Sequence, residues 1–409
     1  MLKYLPFSLS LFLLVSCAPQ KQQNIKTSDT PATSPKSLIA DDQYGDPELG
    51  YIGDDIPTVK IALLVPLTGK SAAVGESMLD AATLAVYDSY LATPANNIKA
   101  KIVILPKDTG NSTSETINSA NEAIEQGAKF IIGPLFSQSV TAIKPIAKEK
   151  NIPILSFSNN KSVASEDVYT FGFLPEQQIE RIAEYSYLQG FQKVALLAPN
   201  NEYGEKVQEE LSKIYSRKGG VVSPSELYAP SVANINAAIS RIVGFYNNSP
   251  DERKFQAIFV ANSGIHMRNI IKALQKNNVD LDKIKIIGAG IWYDKKLSKI
   301  PQMRGVWFPS PPEKPMEIFI KRFTTAYGYQ PNHMSALSYD AVTLITSIAM
   351  SGKEIKKEYL TDKEGFNTPV GGLVRLLENG LSERKLAISK VQSDGFQIID
   401  RPDISFKIK

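Results

Sequence analysis

Apolar residues along the chain fall into short β-branched runs that alternate with amphipathic stretches. VKIALLVP at 59–66 leads into a helix expected from about Gly75 to Tyr90, KIVIL at 101–105 into one from Thr113, and KFIIG at 129–133 into one from Ser137, with IPILSF at 152–157 closing the series. Parallel neighbours need a long return connection, and an amphipathic helix supplies it, so this alternation predicts parallel strands with crossover helices. A second series starts after Pro175. It runs through a helix to about Leu188, KVALLAP at 193–199, a helix from Tyr203, VVSPSELY, a helix from Ala233, FQAIFVAN at 255–262, a helix from Ile265 and IKIIGAG at 284–290. Beyond Gly305 come a strand (VWFPSP), helices at Pro315–Tyr327 and Ser335–Ser351, and a strand-rich end in which the -ENG- turn between alternating runs predicts a hairpin. The expected fold class is therefore α/β, with two doubly wound, Rossmann-like lobes.

The N-terminus follows a different pattern. MLKYLPFSLSLFLLVSC carries one cation at Lys3, an apolar run from Leu9 to Val15, and a small residue before the only cysteine, Cys17. This is the layout of a secretory signal peptide over residues 1–16. The apolar run is shorter than the roughly 20 residues that a helix needs to cross about 30 Å of hydrocarbon. Leu14-Val15-Ser16-Cys17 resembles the bacterial lipobox, which implies a diacylglycerol-modified, acylated cysteine and so attachment to a membrane through a lipid anchor at Cys17. Several acyl chains on one residue make a stable anchor. Ala18 after the cysteine resembles the signal that sorts lipoproteins to the outer membrane, facing the periplasm.

Residues 17–57 are polar, rich in Pro, Ser, Thr and Asp, and lack a sustained apolar period, as expected of a flexible tether. A coil of roughly 40 residues averages about 35 Å end to end and stretches beyond about 100 Å, enough to hold a domain clear of a membrane. About 350 residues remain, more than one hydrophobic core usually covers, which agrees with two lobes.

Composition narrows the chemistry. With Cys17 consumed, no thiol is left for a disulfide, a zinc site or a nucleophile. Loss of Lys3 leaves 45 basic against 42 acidic side chains, a formal charge of +3, without a basic stripe of interleaved aromatics, so no nucleic-acid partner is expected. PLTGKS at 66–71 ends like a phosphate loop, but the glycine required five residues before Gly69 is replaced by Leu64. There is no GxGxxG after a strand and no GxSxG elbow, and the two histidines, His266 and His333, stand far apart without companion ligands. The sequence makes no case for an enzyme, a catalytic residue, a metal or a cofactor.

The turns between these elements carry a resemblance. VKIALLVPLTGKSAAVGESMLDAATLA, FIIGPLFSQSV, NIPILSFSNN, VALLAPNNEYGE and YGYQPNHMSALSYDAV resemble, in order and spacing, the type 1 periplasmic binding proteins of the leucine/isoleucine/valine-binding branch, from about Thr58 to the C-terminal strands. The resemblance implies an inter-lobe cleft and several hinge crossovers. It places 58–174 and 305–365 in the first lobe and 175–304 and 366–409 in the second, with hinge segments near Leu174, near Met303 and after Gly365. It also implies a small amino-acid-like ligand held where helix N-termini offer free N–H groups. On the first lobe the positions are Ser137 and Gln138, then Ser158 and Asn160, with Thr68 and Ser71 in the first turn; Ser and Asn there serve equally as helix caps.

On the second lobe the chain departs from the amino-acid receptors. Asn262 stands where they present an aromatic, and Gly290 where they present the carboxylate that pairs with the ligand amine, with Trp292 and Asp294 just beyond. The stretches IIGAGIWYD, RGVWFPSPP, SALSYDAV and ERKLAISKV are closer to single-domain lipoproteins of the penicillin-binding protein activator branch. That implies a regulator of peptidoglycan synthases, with a penicillin-binding protein as partner. The alternative is a substrate-binding protein that delivers an amino acid or related solute to an ABC permease.

Overall fold

A computed structural model describes residues 56–262, 264–290 and 295–407. The expected signal segment, Cys17, the expected tether up to residue 55, Trp292 and Asp294 lie outside the described residues.

The first lobe begins with β1 (Thr58–Val65), α1 (Ala72–Ala92), β2 (Lys101–Asp108), α2 (Thr113–Glu125), β3 (Phe130–Ile132), α3 (Ser137–Glu149), β4 (Ile154–Ser156) and β5 (Val168–Thr170). The five strands make one parallel sheet in the order β2-β1-β3-β4-β5. Side chains alternate across it as a two-sided core requires. Ile61, Leu63 and Val65 pack into a cluster with Met78, Ala81 and Ala85 of α1, while Ala62 and Leu64 join Ala120, Ala123, Val140 and Ile143 of α2 and α3 on the other face.

After α4 (Pro175–Leu188), the second lobe repeats the plan with β6 (Lys193–Pro199), α5 (Glu202–Arg217), β7 (Val221–Tyr228), α6 (Val232–Asn248), β8 (Ala257–Val260), α7 (Gly264–Lys276), β9 (Lys285–Gly288) and β10 (Trp307–Ser310). The chain continues through α8 (Glu313–Tyr327), α9 (Ser335–Met350), β11 (Phe366–Thr368), β12 (Gly372–Leu376), β13 (Ser382–Arg384), β14 (Ala387–Val391) and β15 (Phe396–Asp400). The second sheet runs β15-β14-β10-β9-β8-β6-β7, parallel except for β14, which pairs antiparallel with both β10 and β15, and β11-β12-β13 form a small antiparallel sheet. The hairpin expected at -ENG- is the β12–β13 turn, closed by bonds from Leu377 N–H to Leu381 and from Gly380 N–H to Leu377.

Each lobe seats its first helix with the same device. A proline stands at or just after the end of the strand, and a glycine a few residues on lets the helix backbone press against that proline's carbonyl. A Cβ on Gly75 would lie 1.8 Å from the Pro66 oxygen, and one on Gly204 1.8 Å from the Pro199 oxygen, so neither position accepts a side chain.

The expected lobe boundaries are corrected in the C-terminal third. The expected boundaries place β10 in the first lobe, but Trp307 pairs with Ile287 of β9 and Phe308 with Ser389 of β14, inside the second sheet. Conversely, 366–384 belongs with the first lobe. Val374 and Leu376 of β12 share a core with α1 and α9, and Thr170 of β5 donates its N–H to Gly380. The crossings therefore lie at 171–175, at 310–313 and at 384–387. The hinge near Leu174 stands, whereas those near Met303 and after Gly365 move toward the C-terminus.

Candidate functional site

The first-lobe half of the cleft is built from turns at the C-terminal ends of strands. Phe136 is the cap residue of α3 and supplies no side-chain bond to its first turn, so the first N–H groups of a 13-residue helix are left for water or a ligand. Ser137 and Gln138 at that end line a hollow of about 410 Å³ together with Thr113, Thr141, Ala142, Asn160 and Ser162. Three of the expected positions, Ser137, Gln138 and Asn160, thus share one surface. Thr113, Thr141 and Ser162 were not anticipated. Thr113 opens α2 from a different strand, and only the packing of α2 against α3 brings it there.

The remaining first-lobe positions are used by the fold. Ser158 is buried, and its hydroxyl accepts the Asn160 N–H at 3.2 Å. The Asn160 side chain in turn accepts the Ser162 N–H at 3.0 Å, capping the short turn at Lys161–Val163. Thr68 donates its hydroxyl to Asp108 at the end of β2 at 2.6 Å, and the same carboxylate accepts the N–H groups of Leu67 and Gly110. Burial alone would raise the Asp108 carboxyl, but the Thr68 hydroxyl and these N–H donors outweigh it and hold it below its ordinary value. Ser71 closes the same turn at the start of α1 without a side-chain capping bond.

On the second lobe, Asn262 follows β8 and donates its side-chain amide to the buried Tyr228 hydroxyl. Burial raises the Tyr228 hydroxyl and keeps it neutral, with the Asn262 bond acting weakly in the opposite sense. Gly290 is closely packed, since a Cβ there would lie 2.2 Å from the Gln178 side-chain oxygen of α4.

Charge meets charge where the lobes face each other. Lys161, next to Asn160 on the first lobe, lies 3.2 Å from Glu176 and 3.9 Å from Glu210 on the second. Lys206 is 3.2 Å from Glu210, 3.4 Å from Glu209 and 3.9 Å from Glu176, so two ammonium groups and three carboxylates form one cluster across the lobe boundary. Desolvation works against the Lys206 charge, and the neighbouring carboxylates more than offset it, so its ammonium is held above the usual range. Nothing in the local sequence announced this set, because its members are spread over 50 residues and single charges on helices default to solvent.

The first crossing is stapled to the third. Gln177 donates to the Ser382 carbonyl and accepts the Arg384 N–H at 3.1 Å, and Arg384 donates to the Phe171 carbonyl at 2.7 Å. Its guanidinium lies between the rings of Phe171 and Phe173, 4.4 and 4.6 Å from their centroids.

Comparison with known proteins agrees with this geometry. The family model described as periplasmic binding protein matches residues 58–395. The uncharacterized protein RP748 of Rickettsia prowazekii (strain Madrid E) is 25% identical over 231 residues, which span 56% of this chain and 59% of that protein. The penicillin-binding protein activator LpoA of Vibrio cholerae serotype O1 (strain ATCC 39541) is 21% identical over 296 residues, 72% of this chain and 45% of the relative. The chain thus spans roughly half the length of these curated relatives. Among solved structures, a protein assigned to a branched-chain amino acid ABC transporter of Rhodospirillum rubrum superposes with a TM-score of 0.74 at 19% identity, covering 84% of this chain and 100% of that one. With the family model matched over most of its length and two doubly wound lobes joined by three crossings, the chain belongs to the periplasmic binding protein family and has the type 1 fold.

Proposed function

We propose that this chain is a non-enzymatic envelope lipoprotein whose binding-protein domain regulates a peptidoglycan synthase, rather than delivering a solute. The observation that carries this reading is that four of the candidate ligand positions, and a lysine beside one of them, are already engaged within the fold. Asn160 caps a turn, Ser158 holds Asn160, Thr68 is bonded to Asp108, Asn262 is turned to Tyr228, and Lys161 is paired with Glu176. A ligand carboxylate or amine would have to displace these bonds, and an exchanged hydrogen bond yields little net free energy. Similarity to a penicillin-binding protein activator over 72% of the chain supports the same reading. Anchoring at Cys17 in the outer membrane, with 17–57 as tether, is part of this proposal: such an anchor serves contact through the cell-wall layer and serves delivery to an inner-membrane permease poorly.

A transport role is the second reading, favoured by the open α3 N-terminus over the hollow at Ser137 and Gln138. Calorimetric titration of the protein against the standard amino acids and cell-wall peptides, repeated with Ser137→Ala and Asn160→Ala, separates the two. Absence of saturable amino-acid binding is expected. Micromolar binding of an amino acid that both substitutions abolish would overturn the regulator reading.

A further inference from the structure

We infer that residues 401–407 act as a brace that ties the second lobe back onto the first across the third crossing. β15 ends at Asp400 as the edge strand of the second sheet, held to α4 by the Arg181–Asp400 ion pair. The chain then leaves that sheet and lands on the small sheet of the first lobe. The Phe406 ring sits 4.3 Å from the Arg375 guanidinium of β12. It also lies so close to Gly365 that a Cβ there would be 2.9 Å from the ring. Lys407 pairs with Glu364 at 3.3 Å. Between its two ends the tail spans the crossing itself, where Lys385 pairs with Asp403 at 3.2 Å and points its ammonium at the Phe406 ring, 5.1 Å from the centroid.

Ile404, in the middle, is 95% exposed, and the tail bows over a hollow of about 430 Å³ lined by Lys385 and residues 402–407. The arrangement has a mechanical consequence. The covalent chain crosses between lobes three times, and the tail adds a fourth, non-covalent link between the second sheet and β11–β13. Rotation of one lobe against the other must then strain or release the Phe406 contact. A ring flanked by two cations contributes on the order of 1 kcal/mol at an exposed site, a factor of about five in an opening equilibrium.

Amide hydrogen exchange of the full-length protein, measured by mass spectrometry for the wild type, Phe406→Ala and Phe406→Tyr, tests the brace. In Phe406→Ala, peptides covering the first crossing should exchange about fivefold faster, although the bonds there (Phe171 N–H to Ser156, Gln178 N–H to Leu174) do not involve the tail. Phe406→Tyr should restore the wild-type rate, and the core strands β3 and β8 should not change. Acceleration confined to the tail, 361–366 and 385–387 would show a packed chain end with no hold on the hinge and would overturn the inference. Acceleration of β3 and β8 as well, which marks general destabilisation, or no change anywhere, would overturn it equally.

Discussion

Asp340 lies inside α9 with 1% of its surface exposed, yet it is a carboxylate that accepts the N–H groups of Val370 and Gly371 at 2.9 and 2.6 Å and the Thr368 hydroxyl at 3.0 Å. Desolvation dominates and lifts its carboxyl to about 6, against the opposing pull of Arg384 and these donors. Arg384 is lowered to about 10 by the same burial, and its Nε and Nη1 find no hydrogen-bond partner. Both shifts oppose the charged forms, so at neutral pH the pair is a liability for stability that orders the turn before β12. Because the folded carboxyl takes up its proton more readily than the unfolded one, its contribution to stability is greatest near pH 4 and declines as pH rises toward 6, by roughly 2–3 kcal/mol over that window. Asp340→Asn removes that slope and leaves one N–H donor unpaired, costing about 1–3 kcal/mol. Urea unfolding between pH 4 and 7 should therefore show the gap between wild type and variant shrinking as pH rises, and a constant gap would contradict the assignment. Burial of this kind was not legible in SALSYDAV. The aspartate stands in a helix whose apolar positions are clear, but the turn that satisfies it comes 30 residues later.

At the scale of elements, Ser137 and Asn160 look alike in sequence and do different work. Asn160 caps the turn at Lys161–Val163, whereas Ser137 is the first helical residue of α3 and is not its cap. Loss of a cap costs about 1 kcal/mol. Thermal melts without ligand should show Asn160→Ala destabilised by about that much and Ser137→Ala within roughly 0.5 kcal/mol of wild type. Equal effects would mean that Ser137 supports the fold as well. The first four strands and most helices could be read from pattern because their apolar runs and caps are local. β5 could not, since Val168–Thr170 is three residues long and is defined by pairing with β4. The same limit explains the misplaced boundaries: VWFPSP has the signature of a buried strand whichever sheet it joins, and lobe membership is fixed by partners far along the chain.

For the whole molecule, two lobes of repeated design meet through an ion cluster on one side and three crossings, the first stapled to the third, with the tail over the third. A hinged, cleft-bearing domain is thereby specified. What it grips depends on whether the cleft is offered to a solute or the outer surface to a protein. The most direct test of the regulator role is the initial rate of glycan-strand polymerisation by a purified bifunctional peptidoglycan synthase from the same bacterium, titrated with this protein. A saturable rise in rate is the expected result. An unchanged rate at every concentration, with the protein shown to be folded, would contradict it.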